Sequence, residues 1–201
     1  MDEHEQEVMK ILSRRTSNGK LRSRESNTVE FKKSFNMGSA AAYAKTMAAF
    51  ANNTGGYIIF GIEDSPRSIL GLKNNNLENL KQEKLTETIN SYFAPAIDWE
   101  TGTLDIDVEK VDENGMSVTE RKKVGWIYAY ESDIKPVIAL KDHSGESITA
   151  GDVFYRYRAR NGKIKPAEME KIISERITRE RKNLLKVLEV IRKSGTANLG
   201  I

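Results

Sequence analysis

Residues 28–33 alternate between apolar and polar: Val29 and Phe31 fall on one face, Thr28, Glu30 and Lys32 on the other, the period of a half-buried strand. The period then changes. Ala40, Tyr43, Ala44, Met47, Ala48 and Ala51 recur at helical spacing behind Ser39 as a cap, which predicts an amphipathic helix whose small-residue seam lies close against a sheet. Asn52-Asn53-Thr54-Gly55-Gly56 supplies the helix stop and a tight turn, and residues 57–62 are a short apolar run suited to a strand buried on both faces. Residues 28–64 therefore read as a βαβ-like unit.

Further along, Leu85, Ile89, Tyr92 and Phe93 place a helix over residues 77–93, stopped by Pro95. Residues 103–131 predict a hairpin, with Leu104, Ile106 and Val108 alternating outward, Asn114-Gly115 at the turn, and Val124, Trp126, Tyr128 and Tyr130 alternating on return. Residues 137–140 and 153–157 add two strands. Ahead of this core, residues 2–12 predict a helix with Val8, Ile11 and Leu12 on one side, and the polar run 13–24, with its Asn18-Gly19 turn, reads as a flexible arm. Behind it, Pro166 opens a helical tail carrying Met169, Ile172, Ile173 and Ile177, then Leu184, Val187, Leu188 and Ile191, with a break expected at the charged residues 178–182.

Composition narrows the chemistry. The chain has 201 residues, 38% hydrophobic and 30% charged, which predicts one soluble globular core with a charged surface. The absence of cysteine excludes disulfides, iron–sulfur clusters, a thiol nucleophile and Cys-based zinc sites, and two histidines are too few for a three-histidine metal site. No apolar run approaches the roughly 18 residues of a membrane span, and the acidic start Met1-Asp2-Glu3-His4-Glu5 is unlike a secretory leader, so a cytoplasmic protein without membrane partners is expected.

The net charge is only +3, but the charge is segregated. Lys10, Arg14, Arg15, Lys20, Arg22 and Arg24 form one acid-free run, and Arg156, Arg158, Arg160, Lys163 and Lys165 form a second, interleaved with Tyr155 and Tyr157. On a continuous strand Arg156, Arg158 and Arg160 would share one face about 6–7 Å apart, close to the phosphate spacing of a nucleic-acid strand. Either run alone is equally a solvated face; together they point to phosphate.

Three acids stand out, Glu25, Glu30 and Asp64, with Glu63 beside the last. Asp64 closes the buried strand at its C-terminal end, where ligands sit in sheets with a βαβ connection, and converging carboxylates bind Mg²⁺ or Mn²⁺. Glu25 and Glu30 would face opposite sides of one strand, so a turn before Thr28 is required for them to meet. The competing reading pairs Glu30 with a nearby lysine and gives Glu63 and Asp64 to the turn at Ser65-Pro66. Residues 39–46 end in Lys-Thr like a phosphate loop but contain no glycine, so no ATP site is recognised and Lys45 reads as a surface lysine; His143 reads as a solvated turn residue.

Glu25-Ser26-Asn27-Thr28-Val29-Glu30-Phe31-Lys32, followed by Ala48-Ala49-Phe50-Ala51-Asn52-Asn53-Thr54-Gly55-Gly56-Tyr57-Ile58-Ile59-Phe60-Gly61-Ile62-Glu63-Asp64, resembles the Schlafen AlbA_2 domain. Phe154-Tyr155-Arg156-Tyr157-Arg158 with Gly162 is similar to its closing strand. The resemblance implies an α+β fold with a mixed sheet, a domain over residues 21–168 between a helix and basic arm (1–20) and a helical extension (169–201), and a DNA-binding module of the transcriptional-regulator type. On that reading Arg14, Arg15, Arg22, Arg24, Lys32, Arg156, Arg158, Arg160 and Lys163 contact DNA or RNA backbone. The alternative is a divalent-metal-dependent endonuclease using Glu25, Glu30 and Asp64, since some Schlafen proteins cut RNA with three carboxylates. They also join two related lobes; the single copy of the signature here implies a homodimer, and the helical tail is a further candidate for partner pairing.

Overall fold

A computed structural model describes residues 1–16, 20–65, 67–111 and 116–197. The elements in chain order are α1 (Glu3–Ser13), β1 (Val29–Lys32), α2 (Ala40–Ala51), β2 (Gly56–Phe60), α3 (Gln82–Tyr92), β3 (Phe93–Ala94), β4 (Trp99–Val111), β5 (Ser117–Ala129), β6 (Ile138–Ala139), β7 (Phe154–Tyr157), β8 (Arg160–Lys163) and α4 (Pro166–Ala197). The main sheet runs β1-β2-β5-β4, with β1 and β2 parallel and the other pairs antiparallel. A mixed sheet with helices on both faces is the α+β architecture expected.

Parallel β1 and β2 with α2 between them make the predicted βαβ unit, and β2 is buried at all five positions because both sheet faces are covered. On one face Ile58, Phe60 and Ile127 meet Met47, Phe50, Leu85 and Phe154 from α2, α3 and β7. On the other, Val29, Phe31, Ile59 and Trp126 meet Val8 and Leu12 of α1. The seam of α2 allows this close approach: Ala44, Ala48, Ala49 and Ala51 are fully buried. Gly55 ends the turn after α2 at φ +75°, a left-handed conformation that favours glycine. Asn52 then locks the end of α2: its side-chain amide donates to the carbonyls of Val137 and Phe154, both at 2.9 Å, and its Oδ1 accepts from Val137 N at 2.7 Å.

Asp2 and Glu5 close a capping box at the start of α1. His4 fastens the helix to the sheet, with Nδ1 2.8 Å from the Tyr57 hydroxyl and Nε2 2.9 Å from that of Tyr130. Tyr130 gives its own proton to Glu100 at 2.6 Å, so Nε2 is the donor toward Tyr130. That same bond to Glu100, with burial, pushes the Tyr130 hydroxyl up to about 12.

Three expectations are corrected. The described residues of this run, 13–16 and 20–24, are not a free arm: the Arg14 carbonyl accepts from Arg22 N, Arg15 bridges to Leu21, and Leu21 is buried at 2% exposure with its N–H on the Arg67 carbonyl. The tail is one helix through residues 178–182, because charged side chains of good helix propensity continue it and Arg176 pairs with Glu180 one turn on. Lys45 is half-buried, donating to the Glu146 carbonyl at 2.5 Å and lying over the Phe154 ring. The turns placed at Asn18-Gly19 and Asn114-Gly115, and Pro66, lie outside the described residues. Among the described residues no helix is long and apolar enough to cross a membrane.

Candidate nucleic-acid interface

The bend that Glu25 and Glu30 require is present. Ser26 N donates to the Val29 carbonyl at 3.0 Å, and Ser26 Oγ receives Thr28 N at 3.2 Å, so the chain turns back just before β1. Glu25 swings round to accept Phe31 N on its Oε1 at 3.0 Å, while Glu30 points into the protein at 8% exposure.

Arg156 on β7 is what this turn is built around. It is 1% exposed, donating from Nε to the Ser26 carbonyl at 2.9 Å, from Nη2 to the Val29 carbonyl at 3.0 Å and from Nη1 to Asn161 Oδ1 at 3.0 Å. Its Nη2 also lies 2.6 Å from Glu30 Oε2. Those N–H bonds point at the carbonyls, so the contact to Oε2 is ionic in character and that oxygen receives no aligned hydrogen bond. The other oxygen, Oε1, takes the Lys32 ammonium at 2.6 Å. A planar fork bonded on all sides pins β7 to the turn ahead of β1, and Asn161 passes the constraint to Thr46 of α2 at 2.8 Å.

The hairpin then exposes its tip. β7 ends at Tyr157, Arg158 adopts φ +53°, and β8 begins at Arg160, so the arginines do not form a ladder on one strand face. Arg156 points inward, while Arg158 and Arg160 are exposed at the turn and have no side-chain ion pair or hydrogen bond among the described residues. Asn27 Oδ1 accepts the Arg158 backbone N–H at 2.5 Å and holds the turn in place. Arg158 stands between two hollows, one of about 560 Å³ shared with Asn27, Asn53, Tyr155, Tyr157 and Arg160, and one of about 330 Å³ shared with Glu25, Ser26 and Thr28. Tyr155 donates to Asn53 Oδ1 at 3.0 Å and Tyr157 to Glu168 at 2.9 Å. Burial raises the pKa of both hydroxyls, so they stay neutral donors at ordinary pH.

Of the other basic residues read from the sequence, Arg14, Arg22 and Arg24 are exposed, and Arg24 leads directly into this turn. Three are engaged within the fold: Arg15 on the carbonyls of Leu12 and Asp107, Lys32 on Glu30, and Lys163 on Asp152 at 2.8 Å. Sequence reasoning missed Asn27, Asn53 and Asn161, which position the hairpin. The only signal for them was an asparagine in each turn segment.

Glu25, Glu30 and Asp64 act on one group, the Lys32 ammonium. Burial pulls its pKa down, but the bond to Glu30 and the charges of Glu30, Glu25 and Asp64 outweigh that and hold it above the usual lysine value. Glu25 is raised, first by burial and also by the Glu30 charge, against the opposing pull of the Phe31 N–H and the nearby cations. Among the described residues no three His, Asp or Glu side chains gather at a position fit for a metal ion. With both Glu30 oxygens beside protein cations, the donor set as arranged serves Lys32 and Arg156 and does not fit a divalent ion.

A curated relative, the uncharacterized ATP-binding protein UU034 of Ureaplasma parvum serovar 3, is 58% identical over all 201 residues, and the chain spans 57% of that protein's length. The crystal structure of the DIP2311 protein from Corynebacterium diphtheriae is similar at 21% identity and a TM-score of 0.49, over 84% of this chain and 28% of that one. The family described as Schlafen, AlbA_2 matches residues 25–165, a span opening at the Glu25 turn and closing just past the arginine hairpin. The chain belongs to the Schlafen AlbA_2 family.

Proposed function

We propose that this chain is a cytoplasmic nucleic-acid-binding module, DNA-binding in a regulatory setting, that holds phosphates through Arg158 and Arg160 with Arg24, Arg22 and Arg14 extending the surface. The observation that carries it is the pair of exposed arginines whose side chains have no ion pair or hydrogen bond among the described residues, on a hairpin whose backbone is locked by Arg156 and Asn27. A guanidinium fork fixed at its root loses little freedom when it meets a phosphate. Tyr155 and Tyr157 line the same hollow and add ring faces, their hydroxyl protons being held by Asn53 and Glu168. Few of these contacts distinguish bases, so sequence preference is weak.

The test is binding of labelled duplex DNA and structured RNA of arbitrary sequence between ~50 and ~200 mM salt. Affinity should fall at least about tenfold over that range, as counterions released from several phosphates require. A flat profile contradicts the proposal. The same mixtures, incubated with Mg²⁺, Mn²⁺ or EDTA, read out the cleavage alternative. With Glu30 held by Lys32 and Arg156 the nucleic acid stays full length, and metal-dependent cutting lost in Glu30→Ala would assign the acids to catalysis instead. ATP, named for the longer relative, is added as a competitor. Unaltered binding separates any nucleotide site from this surface.

A further inference from the structure

β7 and β8 form a two-stranded ribbon whose two faces differ. Phe154 and Arg156 point into the protein, and Asn161, opposite Arg156, lies on that side with them. The other face carries Tyr155 opposite Gly162, and Tyr157 opposite Arg160. No side chain therefore stands across from Tyr155, and a Cβ on Gly162 would come within 3.3 Å of the Tyr157 ring. The glycine leaves both rings room on this face, with centroids 5.3 Å apart and planes tilted by 52°, so they make two walls at an angle rather than a stack closed on itself. Each ring is fixed at its tip. The Tyr155 hydroxyl donates to Asn53 at 3.0 Å, and the Tyr157 hydroxyl donates to Glu168 and accepts from Lys165 N, both at 2.9 Å. Aromatic surface held this way loses little conformational freedom when a ligand meets it.

Both tyrosines are half-buried and line the hollow of about 560 Å³ beside Arg158, a volume in the range of ligand pockets. Of the charged residues around it, Glu168 and Lys171 offset each other and Arg156 is paired with Glu30, so the net positive charge comes from Arg158 and Arg160. We propose that this hollow takes an unpaired nucleobase, stacked against Tyr155 and Tyr157, while Arg158 and Arg160 hold the phosphates beside it, so that single-stranded stretches and overhangs bind in preference to blunt duplex. The inference rests on the phosphate-binding reading above and adds which form of nucleic acid satisfies it. Bases inside a duplex are stacked on their neighbours and offer no face to a half-buried ring, whereas an unpaired base does. Every base has a π-face, so stacking keeps the weak sequence preference. With their hydroxyl protons committed to Asn53 and Glu168, the tyrosines contribute ring faces and not a reading of base edges.

The test compares, with the whole chain, a short duplex carrying an unpaired overhang and a blunt duplex of equal phosphate count, each in DNA and in RNA. The overhang form should bind at least about fivefold more tightly. Tyr155→Leu should bring that ratio close to one, and Tyr155→Phe, which keeps the ring, should retain it, with circular dichroism confirming that both variants fold. An iodouracil base placed in the overhang should photocrosslink to Tyr155 or Tyr157, read by peptide mass. Where Tyr155→Leu fails to fold, the crosslink decides. Equal affinity for the two forms, with binding that still falls as salt rises, overturns the stacking inference and leaves the phosphate-binding reading standing. An advantage that survives in Tyr155→Leu, with no crosslink to either tyrosine, overturns it as well. Absence of binding to every form overturns both readings.

Discussion

Arg156 and Arg158 stand two residues apart in the same basic run, and the fold gives them opposite tasks. The first lies at the floor of the hairpin, 1% exposed, bonded to Ser26, Val29 and Asn161 and in contact with Glu30. The second lies at the rim, its backbone fixed by Asn27 and its guanidinium in solvent. What separates them is the local backbone. The turn at φ +53° ends β7 after Tyr157 and turns the chain out of the face that Arg156 occupies. The buried cation thereby becomes the support for the exposed ones, and a surface able to hold phosphate depends on a guanidinium that never meets it.

The sharpest break in this comparison is Arg156→Ala. Removing a fully buried fork leaves the Glu30 carboxylate short of one counter-charge and takes a donor from the carbonyls of Ser26 and Val29 and from Asn161 Oδ1, which should lower the unfolding free energy by about 3 kcal/mol or more in urea titration. Arg156→Lys keeps the charge but cannot reach Ser26, Val29 and Asn161 together, and should recover only part of the loss. A loss below about 0.5 kcal/mol for Arg156→Ala would mean that the floor does not support the hairpin.

A smaller effect comes from Glu25, at the edge between floor and rim. Its folded-state pKa is raised, chiefly by burial, so the folded protein holds this proton more tightly than the unfolded chain does. Stability from this group is therefore greatest below the ordinary carboxylate value and declines as pH rises through the interval up to the folded value. Glu25→Gln keeps an acceptor for Phe31 N and removes that decline. Relative to the parent, the variant should gain stability as pH rises above the ordinary carboxylate value of about 4.3. A difference that moves the other way would mean that the Phe31 N–H and the neighbouring cations dominate over burial.

Much of the framework is legible in the sequence because periodicity reports burial. The alternation at residues 28–33, the alanine seam of α2 and the apolar run of β2 place the βαβ unit, and the return alternation at Val124 and Trp126 places β5. The compound run from Glu25 to Lys32 and on to Asp64 marks the family. The direction of Arg156 was not legible, because a period of two assigns side chains to alternate faces without saying which face another element covers. That face is closed by residues 26–30, more than a hundred positions earlier in the chain. Leu21 hid the docking of residues 20–24 in the same way, as a single apolar anchor in a polar run. The break expected in α4 failed for the opposite reason: charged residues stop no helix when their spacing lets them pair.

The most direct test of the division between floor and rim is the salt dependence of nucleic-acid binding by Arg158→Ala/Arg160→Ala beside the parent, with unfolding free energy measured on the same samples. The slope of log K against log salt should shrink by about one for each arginine removed, while the unfolding free energy stays within about 0.5 kcal/mol. An unchanged slope with unchanged affinity, or a loss of folding comparable to that of Arg156→Ala, would contradict it.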